Sequence, residues 1–396
     1  MGRRPLRIGM VHYSDFEVDS RIQRQARALA ERGDTVECVC LSDDAAFPVG
    51  PGEIALHRAA RGKPRGGARA YVEGNLRFLL GAARKLTALD RKAPFDLIEI
   101  HNMPDALVFA AMLPKLRRTP IVLNFHDTFP ELFATLFDRP PDHPLVRLVR
   151  AEERASAGFV DCHVFVTEEA RDLLRRRGVE APRTQIVMNT PDERVFGERR
   201  PVRTPPADGP LRVMYHGGLA ERFGAETLVR AVAKLRAEGR PVEVDIYGSD
   251  AEAAAQLAAL AAPLAPEGIR IAPRPTPVEQ IPARLEAAHI GVVPTLRDDF
   301  TELLLPVKLL EYVHMGMPAI ASALPTIERY FGDDVLYAQP GDPDSIAAAI
   351  EAVRADPAAA AERAGRASAR LEQIEWSRQR RGYLEMVDGL VAARRS

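Results

Sequence analysis

The chain has 396 residues, 46% hydrophobic and 28% charged, with 54 Lys and Arg against 55 Asp and Glu. These figures exclude a disordered chain and a net field that would recruit nucleic acid, and at roughly 100–200 residues per domain they suit two cores. Three cysteines, Cys38, Cys40 and Cys162, the first two expected on opposite faces of one strand, exclude a disulfide framework or zinc site and point to a reducing compartment.

Leu6–His12 enters a strand without the apolar leader of a secreted chain, and no apolar run reaches the ~20 residues of a membrane span, so a cytoplasmic protein is expected. Arg21–Gly33 has helical spacing and a glycine stop, and Thr35–Leu41 reads as the next strand. Strands follow at Asp96–Ile100, Pro120–Phe125, Asp161–Val166 and Thr184–Asn189, separated by helical stretches near Ala106–Leu116 and Val146–Ala155 and from Glu168. Such alternation predicts a doubly wound parallel sheet with helices on both faces. Residues 197–210, "GERRPVRTPPADGP", are rich in Pro, Gly and charge and read as a linker. The rhythm restarts with strands at Leu211–Gly217, Val242–Gly248, Ile269–Ala272, Ile290–Pro294 and Pro318–Ser322, with helices between them. The expected organisation is an α/β domain over 1–196, a linker over 197–210, a second α/β domain over 211–375, and a terminal helix over 376–396 that packs back on the first domain. Two such domains imply a cleft, with ligands at the carboxyl ends of the strands.

Five segments carry the chemistry: "DSRIQRQARALAERGDTVECVCL", "FHDTFPE", "IVMNTPDERVF", "YHGGLAERFGAETLVRAVAKL" and "LPVKLLEYVHMGMPAIAS". In this order they resemble the retaining nucleotide-sugar glycosyltransferases of glycosyltransferase family 4. The resemblance implies the GT-B fold, two Rossmann-like domains facing a central cleft. It also implies sugar transfer from a nucleoside diphosphate, with retention at the anomeric carbon and no bound metal or other cofactor. A UDP-sugar is the first candidate donor and a GDP-sugar the second.

Without a metal, the charge that builds on the departing diphosphate needs donors from the protein. Gly217 and Gly218 follow a strand and let the backbone approach closely; Arg222 stands before the helix glycine, Gly224, where the family has a basic residue. Pro306 suits a helix start, so the N–H groups of Val307 and Lys308 are free to face phosphate, and Lys308 adds a charge. Glu311 lies three residues on, where the family holds ribose; the competing reading is an exposed Lys308–Glu311 helix pair. His126 and Asp127 follow a strand at its carboxyl edge, and the resemblance assigns His126 to the donor sugar; a structural histidine is the alternative. Tyr247, Gly248 and Arg274 are assigned to the base pocket, with Arg274 across from the other two. His12, Asp15, Asp127 and Asn189 are assigned to the acceptor side. Asp19 with Arg21 reads as a helix cap. Asp298 and Asp299 are adjacent and do not form a D-x-D metal motif.

The chain departs from the family in one place. Leu303 occupies the position of a second glutamate that contacts the donor sugar, with Glu302 one residue out of phase. Two rival functions stay open: a nucleotide-sugar epimerase or hydrolase of the same fold, and a degenerate binding subunit. Arg58–Lys92 holds ten Lys and Arg against Glu73 and Asp90, which reads as a solvated basic face or as a peripheral contact with the inner face of a membrane. The acceptor expected is a small molecule, a glycan or a lipid-linked acceptor.

Overall fold

The computed structural model describes residues 4–63, 68–264 and 267–395. The chain divides into two compact units, one formed by Met1–Asn189 with Trp376–Ser396 and the other by Thr190–Glu375.

The first unit holds strands β1 (Arg7–His12), β2 (Thr35–Cys40), β3 (Ala45–Val49), β4 (Gly52–Arg58), β5 (Leu97–His101), β6 (Ile121–Phe125), β7 (Cys162–Phe165) and β8 (Arg183–Ile186). They form one sheet in the order β3-β4-β2-β1-β5-β6-β7-β8, parallel throughout except for the β3–β4 pair. One face packs Val11, Val39, Ile98 and Leu123 against Phe78 and Leu86 of the helix Ala68–Lys92. The other packs Ile8, Met10, Val36 and Leu97 against Ile22 and Leu29 of the helix Ser20–Glu31. Cys38 and Cys40 both lie in this second cluster, which corrects the expectation of opposite faces: strand side chains alternate, so positions two apart share a face. All three cysteines are buried free thiols.

The second unit holds β9 (Leu211–Gly217), β10 (Val242–Gly248), β11 (Ile269–Ile271), β12 (Ile290–Val293), β13 (Ala319–Ser322) and β14 (Leu336–Ala338), parallel in the order β11-β10-β9-β12-β13-β14. In both sheets β1 or β9 is central, so the order reverses beside it, and open sheets of this kind bind ligands at the carboxyl ends near that reversal.

The segment 197–210 differs from a free linker. The Arg200 N–H donates to the His314 carbonyl at 2.8 Å and the Arg203 N–H to the Gly316 carbonyl at 2.8 Å. The Arg203 guanidinium donates to the carbonyls of Leu285 and Glu286, while Val195 and Phe196 join the core of the second unit. The chain therefore leaves the first unit at Asn189 rather than at 196. Its prolines remove ladder donors, and the remaining donors bond without period.

The helix Trp376–Arg395 lies on the first unit. Tyr383, Val387 and Leu390 enter its core, and the Arg394 guanidinium donates to the Phe95 carbonyl at 2.8 Å. Tyr383 Oη donates at 2.8 Å to Glu99, a carboxyl fully buried in β5. Burial pushes Glu99 up to about 7, against the hydrogen bonds from Tyr383 and Asn124. A carboxyl raised in the folded state makes stability fall as pH climbs from the unfolded value of 4.5 towards 7. Tyr383→Phe removes a donor and extends that fall. Its cost in urea denaturation, about 1–3 kcal/mol, should be larger at pH 8 than at pH 5. Equal costs at the two pH values would show that Glu99 does not ionise in the folded chain.

Candidate active site

In the second unit the carboxyl end of β9 turns at Gly217, where φ is +110° and a Cβ would lie 3.2 Å from Lys308 Cε. Glycine is needed here both for the backbone and for the approach of that side chain. A short turn, Glu221–Phe223, leads to Gly224 at φ +69°, where a Cβ would overlap the Pro294 carbonyl oxygen at 1.8 Å. This glycine lets the helix Ala225–Ala237 start hard against the end of β12. Arg222 lies in the turn, its guanidinium 5.8 Å from the Phe300 ring centre, and has no carboxylate partner among the described residues.

The helix Val307–His314 follows Pro306, and no side chain caps its first N–H groups. Lys308 Nζ donates to Tyr215 Oη at 2.9 Å, and that hydroxyl donates to the Gly218 carbonyl. The ammonium also lies 4.1 Å from the Tyr215 ring centre and 5.2 Å from that of Phe223. Glu311 Oε2 is 3.3 Å from His216 Nε2, and its side chain is only 12% exposed. The exposed Lys308–Glu311 pair is thus replaced by two separately enclosed charges. Burial lowers Lys308 to about 7 despite the opposing charge of Glu311, and burial raises Glu311 to about 7 despite Lys308. Burial also takes His216 down to about 3, so this imidazole is neutral.

Tyr247 and Gly248 end β10, and a Cβ on Gly248 would meet Leu219 Cδ1 at 2.3 Å. The cation against Tyr247 is Arg284, 5.5 Å from the ring centre, and not Arg274, which is exposed beyond β11. The helix Ile281–Ala287 supplies the nearer guanidinium, where Arg274 was expected across from Tyr247. Asp298 accepts from the Phe300 and Thr301 N–H groups at 2.9 and 2.7 Å, so this aspartate builds a turn. The Glu302 carboxylate lies 3.5 Å from Arg297. Among the described residues no three His, Cys, Asp or Glu side chains group as metal ligands.

In the first unit the carboxyl edge of the sheet carries three buried histidines. His12 and His101 are register partners at the ends of β1 and β5, and His126 follows β6. His101 Nδ1 and His126 Nε2 share a hydrogen bond of 2.9 Å, and His101 Nε2 is 3.9 Å from Glu99 Oε2. Burial lowers all three, His12 to about 4, His101 to about 3 and His126 well below its ordinary value. Asn102 fixes the loop by accepting from the His126 N–H at 2.8 Å and donating to the Asp127 carbonyl at 2.7 Å. The orienting partner of His126 is therefore His101, a residue that sequence reading passed over because "DLIEIH" reads as an apolar strand. Asp127 acts on Arg21 through its charge, and Arg21 forks onto Asp19 at 3.0 Å through both nitrogens. Burial would raise Asp19, but Arg21 outweighs it and holds the carboxyl well below the usual range. Asp19 also accepts from the Arg21 N–H at the start of its helix, the cap its position suggested. His12 Nδ1 bonds Ser14 Oγ at 3.0 Å, Asp15 is exposed, and Asn189 is where the chain leaves the first unit for the second. The basic stretch Arg58–Lys92 runs from β4 into the helix Ala68–Lys92, with residues 64–67 outside the described part.

Residues 18–190 match the Glycosyl transferase 4-like domain family, and residues 210–356 match the family Glycosyl transferases group 1. A D-inositol 3-phosphate glycosyltransferase of Geodermatophilus obscurus is 26% identical over 355 residues, 83% of this chain and 76% of that protein. Among solved structures, sucrose-phosphate synthase from Thermosynechococcus elongatus superposes with a TM-score of 0.77 at 19% identity, covering 98% of this chain and 100% of the other. HepE of Anabaena in complex with UDP superposes with a TM-score of 0.70 at 14% identity, over 97% of this chain and 100% of that one. These likenesses show the GT-B fold, as the two parallel sheets do.

The enclosed Lys308 and Glu311 set a pH signature. Lys308 is lowered from 10.5, so the unfolded chain binds more protons between about 7 and 10.5 and stability rises with pH there. Glu311 is raised from 4.5, so stability falls with pH between 4.5 and about 7. The pair's contribution is least favourable near neutrality. In a ¹⁵N-lysine NMR titration one ammonium should titrate near 7 and vanish from the spectrum of Lys308→Met; a chain in which every lysine titrates above 10 would contradict the enclosure.

Proposed function

Because the chain belongs to the glycosyl transferases group 1 family, with a glycosyl transferase 4-like first domain, we propose that it moves a sugar from a nucleoside-diphosphate sugar to an acceptor hydroxyl. The reading adds retention of anomeric configuration and independence of metal. The observation that carries it is the enclosed Lys308 beside a glycine turn and an uncapped helix start. A diphosphate placed there meets an ammonium, the N–H groups of Val307 and Lys308, and the backbone at Gly217 and Gly218. Arg222 supplies a second cation from the turn. Glu311 accepts from the ribose diol, and Tyr247 and Gly248 border the base. A UDP-sugar is the favoured donor, supported by the UDP complex of HepE, which shares the fold.

In the reaction, the anomeric carbon–oxygen bond to the diphosphate breaks as the acceptor oxygen attacks from the same face. The departing phosphate oxygen takes the acceptor's proton, so no enzymic base is required. Lys308 and Arg222 stabilise the charge gained by the leaving group, and His126, held neutral by burial and oriented by His101, contacts the donor sugar. His12, Asp15, Asp127 and Asn189 are assigned to the acceptor. One observation favours the rival reading of a degenerate binding subunit. Leu303 stands in place of a donor-sugar glutamate, and Glu302 is paired with Arg297. A subunit of that kind releases no nucleoside diphosphate from any donor.

The acceptor side extends the proposal to a lipid surface on the cytoplasmic side of a membrane. Along the helix Ala68–Lys92 the outward stripe Val72, Leu76 and Leu80 is 63%, 53% and 49% exposed, and Arg84 and Arg91 continue it. Apolar side chains bordered by arginines suit an anionic bilayer. Among the described residues no helix is long and apolar enough to cross one. The chain should sediment with phosphatidylglycerol vesicles at low salt and less at high salt, and Leu76→Ser with Leu80→Ser should weaken this; equal absence of binding to anionic and neutral vesicles would remove the membrane from the account.

Arg222→Ala and Lys308→Ala should each lower kcat by roughly 10²–10³ under saturating donor, the scale of one lost transition-state donor. Chelation with EDTA should leave turnover intact. Unchanged kcat in both variants would end the leaving-group role, and magnesium-restored activity after chelation would end the metal-free one.

A further inference from the structure

Opposite the histidine edge, the amino ends of β6, β7 and β8 border a cavity of about 340 Å³ that the terminal helix closes on one side. We propose that it is a second ligand site, which takes a small phosphate ester and is separate from the site at Lys308.

Its wall carries Lys115, Arg118, Arg183 and Arg394 against a single carboxylate, Asp161. That carboxylate is already engaged, by Lys115 Nζ at 2.7 Å and by the Ile121 N–H at 2.8 Å. Arg394 is partly engaged by the Phe95 and Arg117 carbonyls. Arg118 and Arg183 have no carboxylate partner among the described residues. Thr119 lines the same cavity, is 1% exposed, and its hydroxyl has no hydrogen-bond partner there. A buried hydroxyl without a partner is a costly feature unless something else supplies the bond.

Two backbone details indicate that the arginines are placed rather than incidental. Arg118 ends the helix Met112–Leu116 in the left-handed region at φ +61°, a position that favours glycine. The turn is closed by the Arg118 N–H to the Lys115 carbonyl at 2.8 Å and the Thr119 N–H to the Pro114 carbonyl at 3.1 Å. Gly389 sits inside the terminal helix, where glycine weakens the helix, and a Cβ there would come within 2.9 Å of Arg183 Nη1. The missing side chain leaves room for that guanidinium.

Guanidinium forks match the oxygens of a phosphate, the hydroxyl of Thr119 can donate to one of them, and the volume suits a sugar phosphate or a nucleotide. Such a ligand would bridge the sheet edge to the terminal helix, so it should raise the unfolding temperature of the first unit.

The test is calorimetric titration of the full chain with inorganic pyrophosphate, repeated with glucose 6-phosphate to separate a sugar phosphate from a bare diphosphate. Wild type should show two pyrophosphate sites, and Lys308→Ala should keep one of them. In that background Arg118→Gly and Arg183→Gln should each weaken the remaining site about tenfold, as expected for a lost charge-assisted hydrogen bond. Arg118→Gly relieves the left-handed residue, so it should lose affinity without losing thermal stability, an outcome that misfolding cannot mimic. Arg147→Gln with Arg175→Gln removes the same charge from exposed positions outside the cavity and should change nothing. Wild-type affinity in the Arg118→Gly and Arg183→Gln double variant would overturn the proposal, as would a single site abolished by Lys308→Ala alone. A single site lost in the double variant but kept in Lys308→Ala would support this cavity and count against the diphosphate reading of the second unit.

Discussion

The ammonium of Lys308 is enclosed before any ligand arrives, and the architecture of the second unit follows from that constraint. A half-buried cation without an ion-pair partner is destabilising, and its value falls to about 7. Tyr215 offsets part of the cost, through its hydroxyl and the face of its ring. Gly217 is required because any side chain would crowd the lysine, and Phe223 closes the other side. Glu311 sits one turn along without closing an ion pair, so both groups keep unsatisfied capacity. A site held in this condition gains when a ligand brings two negative charges and a pair of hydroxyl donors at once.

The first unit applies a similar arrangement to neutral groups. Tyr383, Glu99, His101 and His126 form a row of polar atoms from the terminal helix through β5 to the carboxyl edge. Each is buried, and burial favours the uncharged form of every member. A neutral His126 can donate or accept at the edge without carrying a charge. The row also ties the terminal helix to the carboxyl edge of the sheet, because Tyr383 holds one end of it.

Much of this was legible in the residues. The alternation of apolar runs with helical spacing gives both sheets, and the glycines, Lys308 and Glu311 stand out by their order along the chain. What was missed is non-local. Glu99 and His101 look like polar interruptions of a strand, and their partners lie 284 and 25 residues away. The hairpin of β3 and β4 is hidden by Pro48 and by the aspartates before it, which read as a loop. The strap 197–210 looks like a linker because its hydrogen bonds have no period, and Arg284 displaces Arg274 because a helix, not the neighbouring strand, reaches Tyr247. The cavity at Arg118 and Arg183 has no motif at all; it exists only once three strand ends and the terminal helix meet.

The central claim is that Lys308 is enclosed, largely neutral above pH 7, and recharged by a diphosphate. Calorimetry of UDP binding at pH 8, in buffers of different ionisation enthalpy, tests it most directly. A group lowered to about 7 is mostly deprotonated at that pH, and a bound diphosphate should restore its proton. The account predicts uptake approaching one proton per UDP in the wild type and none in Lys308→Met. Tight binding with no proton uptake in the wild type, or equal uptake in both chains, would contradict it.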